Sequence, residues 1–214
     1  MPHADSPPSL LLTDLAERFG PMPAWRIRSV PAPGTATEQD VLKIEERENR
    51  LCELVDGVLV EKTAGFYESI LAVRLAGRLE VFVDANHLGV VTGEGGMMRI
   101  FPGLVRIPDV AFASWKEFPE GVTNEPVPNV VPDLAVEILS EGNTKQEMDS
   151  KLDDYFGAGV RLVWLIEPRR KTVEVFTARY TSSLLDENAT LSGGDVLPGF
   201  SLALKRFFAK PRKG

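Results

Sequence analysis

Two periods of apolar and polar residues run along this chain, and each marks its own kind of element. Positions 51–62 alternate around Asp56-Gly57, a dipeptide suited to a type I′ turn, which predicts a hairpin. Residues 37–49 show helical spacing, with Thr37 as N-cap and Val41 and Ile44 on one face. A second helix is predicted over 66–83, where Phe66, Ile70, Val73 and Ala76 recur at helical spacing. Strand-like pieces follow at 90–92, 97–100 and 105–113, separated by glycines and Pro102. The run 134–139, Leu-Ala-Val-Glu-Ile-Leu, is a further strand. A helix over 144–156, ended by Gly157 and Gly159, leads to strands at 161–166 and 172–176 around a turn with Pro168. This order predicts an α/β fold, a central mixed β-sheet flanked by helices.

The flanks differ from this body. Residues 1–36 carry Pro2, Pro7, Pro8, Pro21, Pro23, Pro31 and Pro33 and form an N-terminal extension, with one short helix at 9–19 capped by Ser9 and stopped by Gly20. Residues 37–208 make the main domain, and 209–214 are a basic C-terminal tail. From Val196 onward there are five basic residues (Lys205, Arg206, Lys210, Arg212, Lys213) and no acidic one.

At 214 residues the chain is long enough for a sizeable core. One cysteine, Cys52, excludes an intrachain disulfide and a cysteine-rich metal site, which points to the cytoplasm. Two histidines, His3 and His87, argue against a His-rich zinc site. No stretch reaches the length of a membrane span, and the N-terminus lacks the order of a signal peptide. The net charge of -7 argues against a large non-specific nucleic-acid surface but leaves room for a local basic groove.

Against this background four polar residues stand out: Glu53, Asp109, Glu137 and Lys151. Glu137 lies within an apolar strand, where a carboxylate needs a partner; it shares a face with Ala135 and Leu139. An arginine salt bridge is the structural alternative to a functional role. Asp109 follows Pro108, which can mark a strand edge or bulge; it could equally be a turn aspartate. Lys151 borders the apolar face set by Met148, Leu152 and Tyr155, with Glu147, Asp149, Asp153 and Asp154 pointing outward. An i,i+4 pair with Glu147 is its alternative. Glu53, between Cys52 and Leu54, could be a solvent-facing strand residue. Taken together, two carboxylates and a nearby lysine suit a divalent-metal site for phosphodiester hydrolysis. Mg²⁺ takes one or two carboxylates plus waters, and a lysine can offset charge on the phosphate.

The stretches Glu53-Leu-Val-Asp-Gly, Pro108-Asp109-Val, Pro132-Asp-Leu-Ala-Val-Glu137-Ile-Leu-Ser140 and Lys151-Leu-Asp-Asp-Tyr155 through Trp164 resemble the Uma-two family of restriction endonucleases, a branch of the PD-(D/E)XK nuclease superfamily. Val196-Leu-Pro-Gly-Phe-Ser-Leu also fits, so the resemblance spans about 37–208. It implies a restriction-endonuclease-like core and Mg²⁺-dependent cleavage of DNA, with Mn²⁺ as a second candidate ion. Asp109 and Glu137 take the places of the metal-binding acids, Glu53 of an additional acid, and Lys151 of the lysine. The sequence departs from the superfamily pattern at Leu139, where a lysine is usual. Ser140 and Asn143 are assigned to capping the 144–156 helix, and Tyr155 and Trp164 to the core. DNA is the expected partner, without a membrane, and double-strand cutting by one site per chain suggests a homodimer. Two rival readings stay open. One is a weak or inactive nuclease-fold module that binds nucleic acid or protein. The other is a structural homo-oligomer in which the four residues lie far apart.

Overall fold

A computed structural model describes residues 12–63 and 65–210. The Ser9 cap and the tail residues Arg212 and Lys213 lie outside the described residues. The chain begins with α1 (Leu12–Phe19), a 3-10 turn at Ala24–Arg26 and α2 (Glu38–Glu48), followed by β1 (Cys52–Val55) and β2 (Val58–Glu61). Next come α3 (Phe66–Ala85), β3 (Gly89–Thr92), β4 (Met98–Phe101), β5 (Leu104–Arg106) and β6 (Val110–Ser114). Then follow β7 (Leu134–Ile138), α4 (Lys145–Ala158), β8 (Leu162–Glu167) and β9 (Thr172–Ala178). The chain closes with β10 (Thr181–Leu185), β11 (Thr190–Gly193), β12 (Leu197–Ala203) and α5 (Leu204–Phe207).

The strands build a six-stranded sheet ordered β10-β9-β8-β7-β6-β3 and a four-stranded sheet ordered β2-β1-β5-β4, with β11-β12 as a separate ribbon. In the six-stranded sheet only β7 and β8 run parallel, joined by the α4 crossover, so the sheet is mixed. Side chains of β7 alternate between two cores. Leu134, Val136 and Ile138 face α3 and the C-terminal ribbon, whereas Ala135 faces the layer that holds α4. A third cluster packs α2 on the four-stranded sheet through Val41, Ile44, Leu54 and Val105. Among the described residues no helix is long and apolar enough to cross a membrane.

Local chemistry sets several boundaries as the sequence predicts. Asp56 and Gly57 both take positive φ (51° and 73°), the backbone of a type I′ turn. Thr37 and Asp40 form a capping box on α2, and Thr144 and Glu147 form one on α4. The cap of α4 is Thr144 itself and not the expected Ser140 or Asn143, which pair with each other: Asn143 Oδ1 accepts the Ser140 amide to close the preceding turn. Gly157 lies inside α4, and the helix ends at Gly159 with φ 105°.

Two further expectations are corrected. Residues 105–113 are not one strand: the chain leaves the small sheet after Arg106 and enters the large one at Val110. Pro108, lacking an N–H, sits in that gap where no ladder partner is needed. The second correction concerns α3. Phe66 and Val73 are exposed, and the core is met by Leu71, Ala72, Leu75, Leu79 and Val83. This helix is apolar around most of its circumference, so spacing alone does not choose the inward face.

A candidate active site at the end of β7

The site forms where β7, α4, β1, β2 and the β5–β6 crossover meet. Glu137, on β7, points to the α4 side of the sheet. Its Oε2 accepts from Lys151 Nζ at 2.9 Å and its Oε1 from the Tyr155 hydroxyl at 2.5 Å. Lys151 and Tyr155 are four apart on α4, so one helical turn presents both to the same carboxylate. Lys151 Nζ also lies 3.0 Å from Glu53 Oε1. The Glu53, Glu137 and Lys151 side chains are each no more than 5% exposed.

Asp109 stands just before β6. Its amide donates to Val136 O at 3.0 Å, and its Oδ2 accepts from the Ile138 amide at 2.7 Å. The carboxylate is thereby fixed beside the residue that follows Glu137. Its Oδ1 accepts from Lys62 Nζ at 2.8 Å. The crossover backbone is held by site residues as well: Glu53 Oε1 accepts the Ile107 amide at 3.1 Å, and Lys62 Nζ donates to Ile107 O at 2.5 Å. Backbone groups that leave both sheets find their partners here in charged side chains. A cavity of about 10 Å³, the room of about one water, adjoins Asp109 and is lined also by Thr63, Glu68 and Glu94.

Glu53, Glu137 and Lys151 therefore come together, with Asp109 alongside through the Ile138 amide and Lys62, and several structural alternatives fall away. Glu53 is buried, not solvent-facing, and takes the arginine: Arg106 Nη1 donates to Glu53 Oε2 at 2.7 Å. Glu137 meets a lysine and a tyrosine instead. Lys151 does not pair with Glu147, which forms a two-bond fork with Arg26 at 2.8 Å for each bond. Glu147 and Asp154, expected outward, are buried. The physical reason is that the N-terminal extension and the crossover cover that side of α4. Arg26 reaches Glu147 from the 3-10 turn, Arg18 of α1 reaches Asp154 at 2.9 Å, and Arg106 also pairs with Asp154.

Electrostatics separate the two central glutamates. Burial pushes the Glu53 carboxyl up, but Lys151 and Arg106 outweigh it and bring it down to about 2. Glu137 is raised, first by burial and then by the charges of Asp109 and Glu53, which Lys151 only partly offsets. Burial favours the neutral amine of Lys151, yet Glu137 and Glu53 win and hold it as an ammonium ion. That makes Lys151 a source of positive charge, not a base. The Tyr155 hydroxyl is raised well above its ordinary value by burial and by Glu137, so it remains a donor.

Lys62, Arg106, Arg26 and Tyr155 are the site residues that the sequence does not assign to the chemistry. Arg106 has a signal: it is a lone cation in the run Leu104-Val-Arg-Ile, and strand pairing of Leu54 with Val105 brings it near Glu53. Lys62 and Arg26 carry no local signal.

The donors around Asp109 and Glu137 are hard oxygens, the type that Mg²⁺ and Mn²⁺ take. Each carboxylate oxygen has a second lone pair beyond its protein contact. The raised Glu137 carboxyl marks a place short of positive charge. Among the described residues no group of three or more His, Cys, Asp or Glu is arranged to hold a metal, so waters or substrate oxygens would complete any shell.

No curated protein matches the chain. A crystal structure from Anabaena variabilis, described as a "putative nuclease", superposes with a TM-score of 0.69 at 20% identity, covering 80% of this chain and 97% of that one. At that identity the likeness speaks to architecture alone: the two chains share this mixed sheet with its flanking helices. The model of the Uma2 family, described as "Putative restriction endonuclease", matches residues 38–205, from α2 into α5, and the chain belongs to that family.

Proposed function

We propose that this chain hydrolyses DNA phosphodiester bonds as an endonuclease that depends on a divalent cation, Mg²⁺ or Mn²⁺. One observation carries the reading: Glu53, Glu137 and Lys151 converge from separate stretches into one buried cluster, and the half-buried Asp109 adjoins it through the Ile138 amide and Lys62. Buried ion pairs commonly stabilise a core no better than apolar packing of the same volume. Charge gathered in this way therefore argues for chemistry over stability. Asp109 and Glu137 would hold the ion. When bound, it supplies an activated water and offsets charge on the phosphate.

The chain's own groups have distinct duties in this scheme. The Ile138 amide and Lys62 fix Asp109, and Tyr155 fixes one oxygen of Glu137. Lys151 holds the other oxygen and keeps a positive charge beside the place where phosphate charge develops. Arg106 pairs with Glu53, and that acid orients Lys151 and the Ile107 amide.

A second reading, a nuclease-fold binding module without turnover, is favoured by one feature. Each carboxylate of the cluster already has a protein partner, and Leu139, where the superfamily has lysine, packs against the core. The test is incubation of circular and linear DNA with Mg²⁺ or Mn²⁺ and the intact chain, Asp109→Ala or Glu137→Ala. Cleavage by the intact chain and its loss in both variants, with unchanged circular dichroism, is expected. Equal cleavage by all three proteins refutes the assignment. DNA binding by the intact chain without cleavage of any DNA form selects the binding module.

A further inference from the structure

A cleft of about 900 Å³ opens between the first turn of α3, the β8–β9 turn and the C-terminal segment. Its apolar lining includes Phe66, which is 87% exposed, and Pro168. Its cationic side chains are Arg169, Lys171 and Lys210, against one acid, Glu68. In a chain of net charge -7 this is a local reversal of sign. The cleft wall is fixed. Tyr67 donates its hydroxyl to Phe208 O at 2.9 Å, and Arg74 donates to Phe207 O and to Ala209 O. Glu68 lines both this cleft and the small cavity at Asp109, so the two adjoin through that side chain.

We infer that this cleft takes a single strand of DNA on its way to the Asp109–Glu137 cluster, a base stacking on Phe66 and phosphates meeting Arg169, Lys171 and Lys210. An exposed aromatic flanked by cations is the arrangement that binds single strands without sequence readout. Arg169 pairs with Glu141, and Lys171 with Glu187 at 2.7 Å, but these side chains are 40% exposed or more. Exposed pairs of this kind hold weakly, and a phosphate can take the place of either acid. The sequence continues the basic character past Lys210 with Arg212 and Lys213. The inference rests on the nuclease reading above and adds to it where the substrate lies.

The test is fluorescence anisotropy in EDTA, with a short fluorescein-labelled DNA single strand and the matching duplex. Phe66→Ala should weaken single-strand binding about tenfold. An Arg169→Gln and Lys171→Gln double variant should flatten the slope of log K against log salt by about 0.7 for each phosphate that is no longer neutralised. Arg47→Gln, exposed on α2, serves as the control and should change neither quantity. Single-strand affinity and salt slope equal to the intact chain in both cleft variants would overturn the cleft. If cleavage still depends on Asp109 and Glu137 in that case, the nuclease reading survives without it. An intact chain that binds the duplex more tightly than the strand also overturns it. An intact chain that neither binds nor cleaves either form overturns both proposals.

Discussion

Lys151→Met is the most informative single change in this protein, because the amine it removes is shared. Its Nζ lies 2.9 Å from Glu137 and 3.0 Å from Glu53, with all three side chains buried. Methionine nearly preserves the volume, so the loss is electrostatic and not a cavity. Glu53 keeps Arg106 and the Ile107 amide, whereas Glu137 keeps only the Tyr155 hydroxyl. Removing one partner of a buried pair costs roughly 3–5 kcal/mol, and that is the deficit expected at pH 7. The variant can relieve it by protonating Glu137, which is already raised in the intact chain. A carboxyl raised in the folded state favours folding fully below its unfolded pKa, and that contribution is lost as pH rises through the folded one. The deficit should therefore shrink as pH falls from 7, by at most about 1.4 kcal/mol per pH unit. Urea unfolding at several pH values, read as midpoints at constant slope, measures this. Lys145→Met is the control: its exposed i,i+4 pair with Asp149 should contribute under about 0.5 kcal/mol at every pH. A Lys151→Met deficit that does not vary with pH, or one no larger than the control, would refute the reasoning.

Two further outcomes are expected. Arg26→Met should cost roughly 3–5 kcal/mol, because it strands the buried Glu147 carboxylate and leaves the Gly142 and Glu61 carbonyls without their donor; thermal unfolding reports it as a fall in Tm, and an unchanged Tm rejects a structural role for the N-terminal extension. The depressed Glu53 carboxyl, near 2 against an ordinary 4.5, should contribute roughly 3 kcal/mol above pH 4.5 and lose it as pH falls toward 2. In a Glu53→Gln variant, unfolding followed by circular dichroism should lose that part of the acid dependence; an identical acid midpoint and steepness would count against it.

A tension runs through the site. The same pairs that hold Asp109 and Glu137 in place take one lone pair of each oxygen, so under the proposed function an ion would be left the other. Glu137 illustrates the balance. Burial and the neighbouring acids leave its charge under-compensated, and the ionised form gains from any further cation. Leu139 stands where the sequence resemblance expects a strand-borne lysine, and Lys151 brings an ammonium from α4 to Glu137. The amine reaches the site by a different element with a similar charge.

What the sequence by itself determined is local. The Asp56-Gly57 turn, the Thr37 cap and the stop at Gly159 act over four residues or fewer, and they stand in the structure as the sequence predicts. Period-2 alternation likewise put Glu137 on the face of Ala135. Family motifs added Glu53, Asp109 and Lys151, since their order along the chain is itself a signal. Other features needed the tertiary structure. Spacing on α3 picks out Phe66 and Val73, which are exposed, because the helix is apolar around most of its circumference. The break between β5 and β6 depends on two sheets existing to receive the halves. Glu147 and Asp154 turned out to be buried only because Arg26, Arg18 and Arg106 arrive from elsewhere; Arg26 and Glu147 are 121 residues apart. A charged residue's environment is fixed by whatever packs over it, and periodicity within one element holds no record of that neighbour.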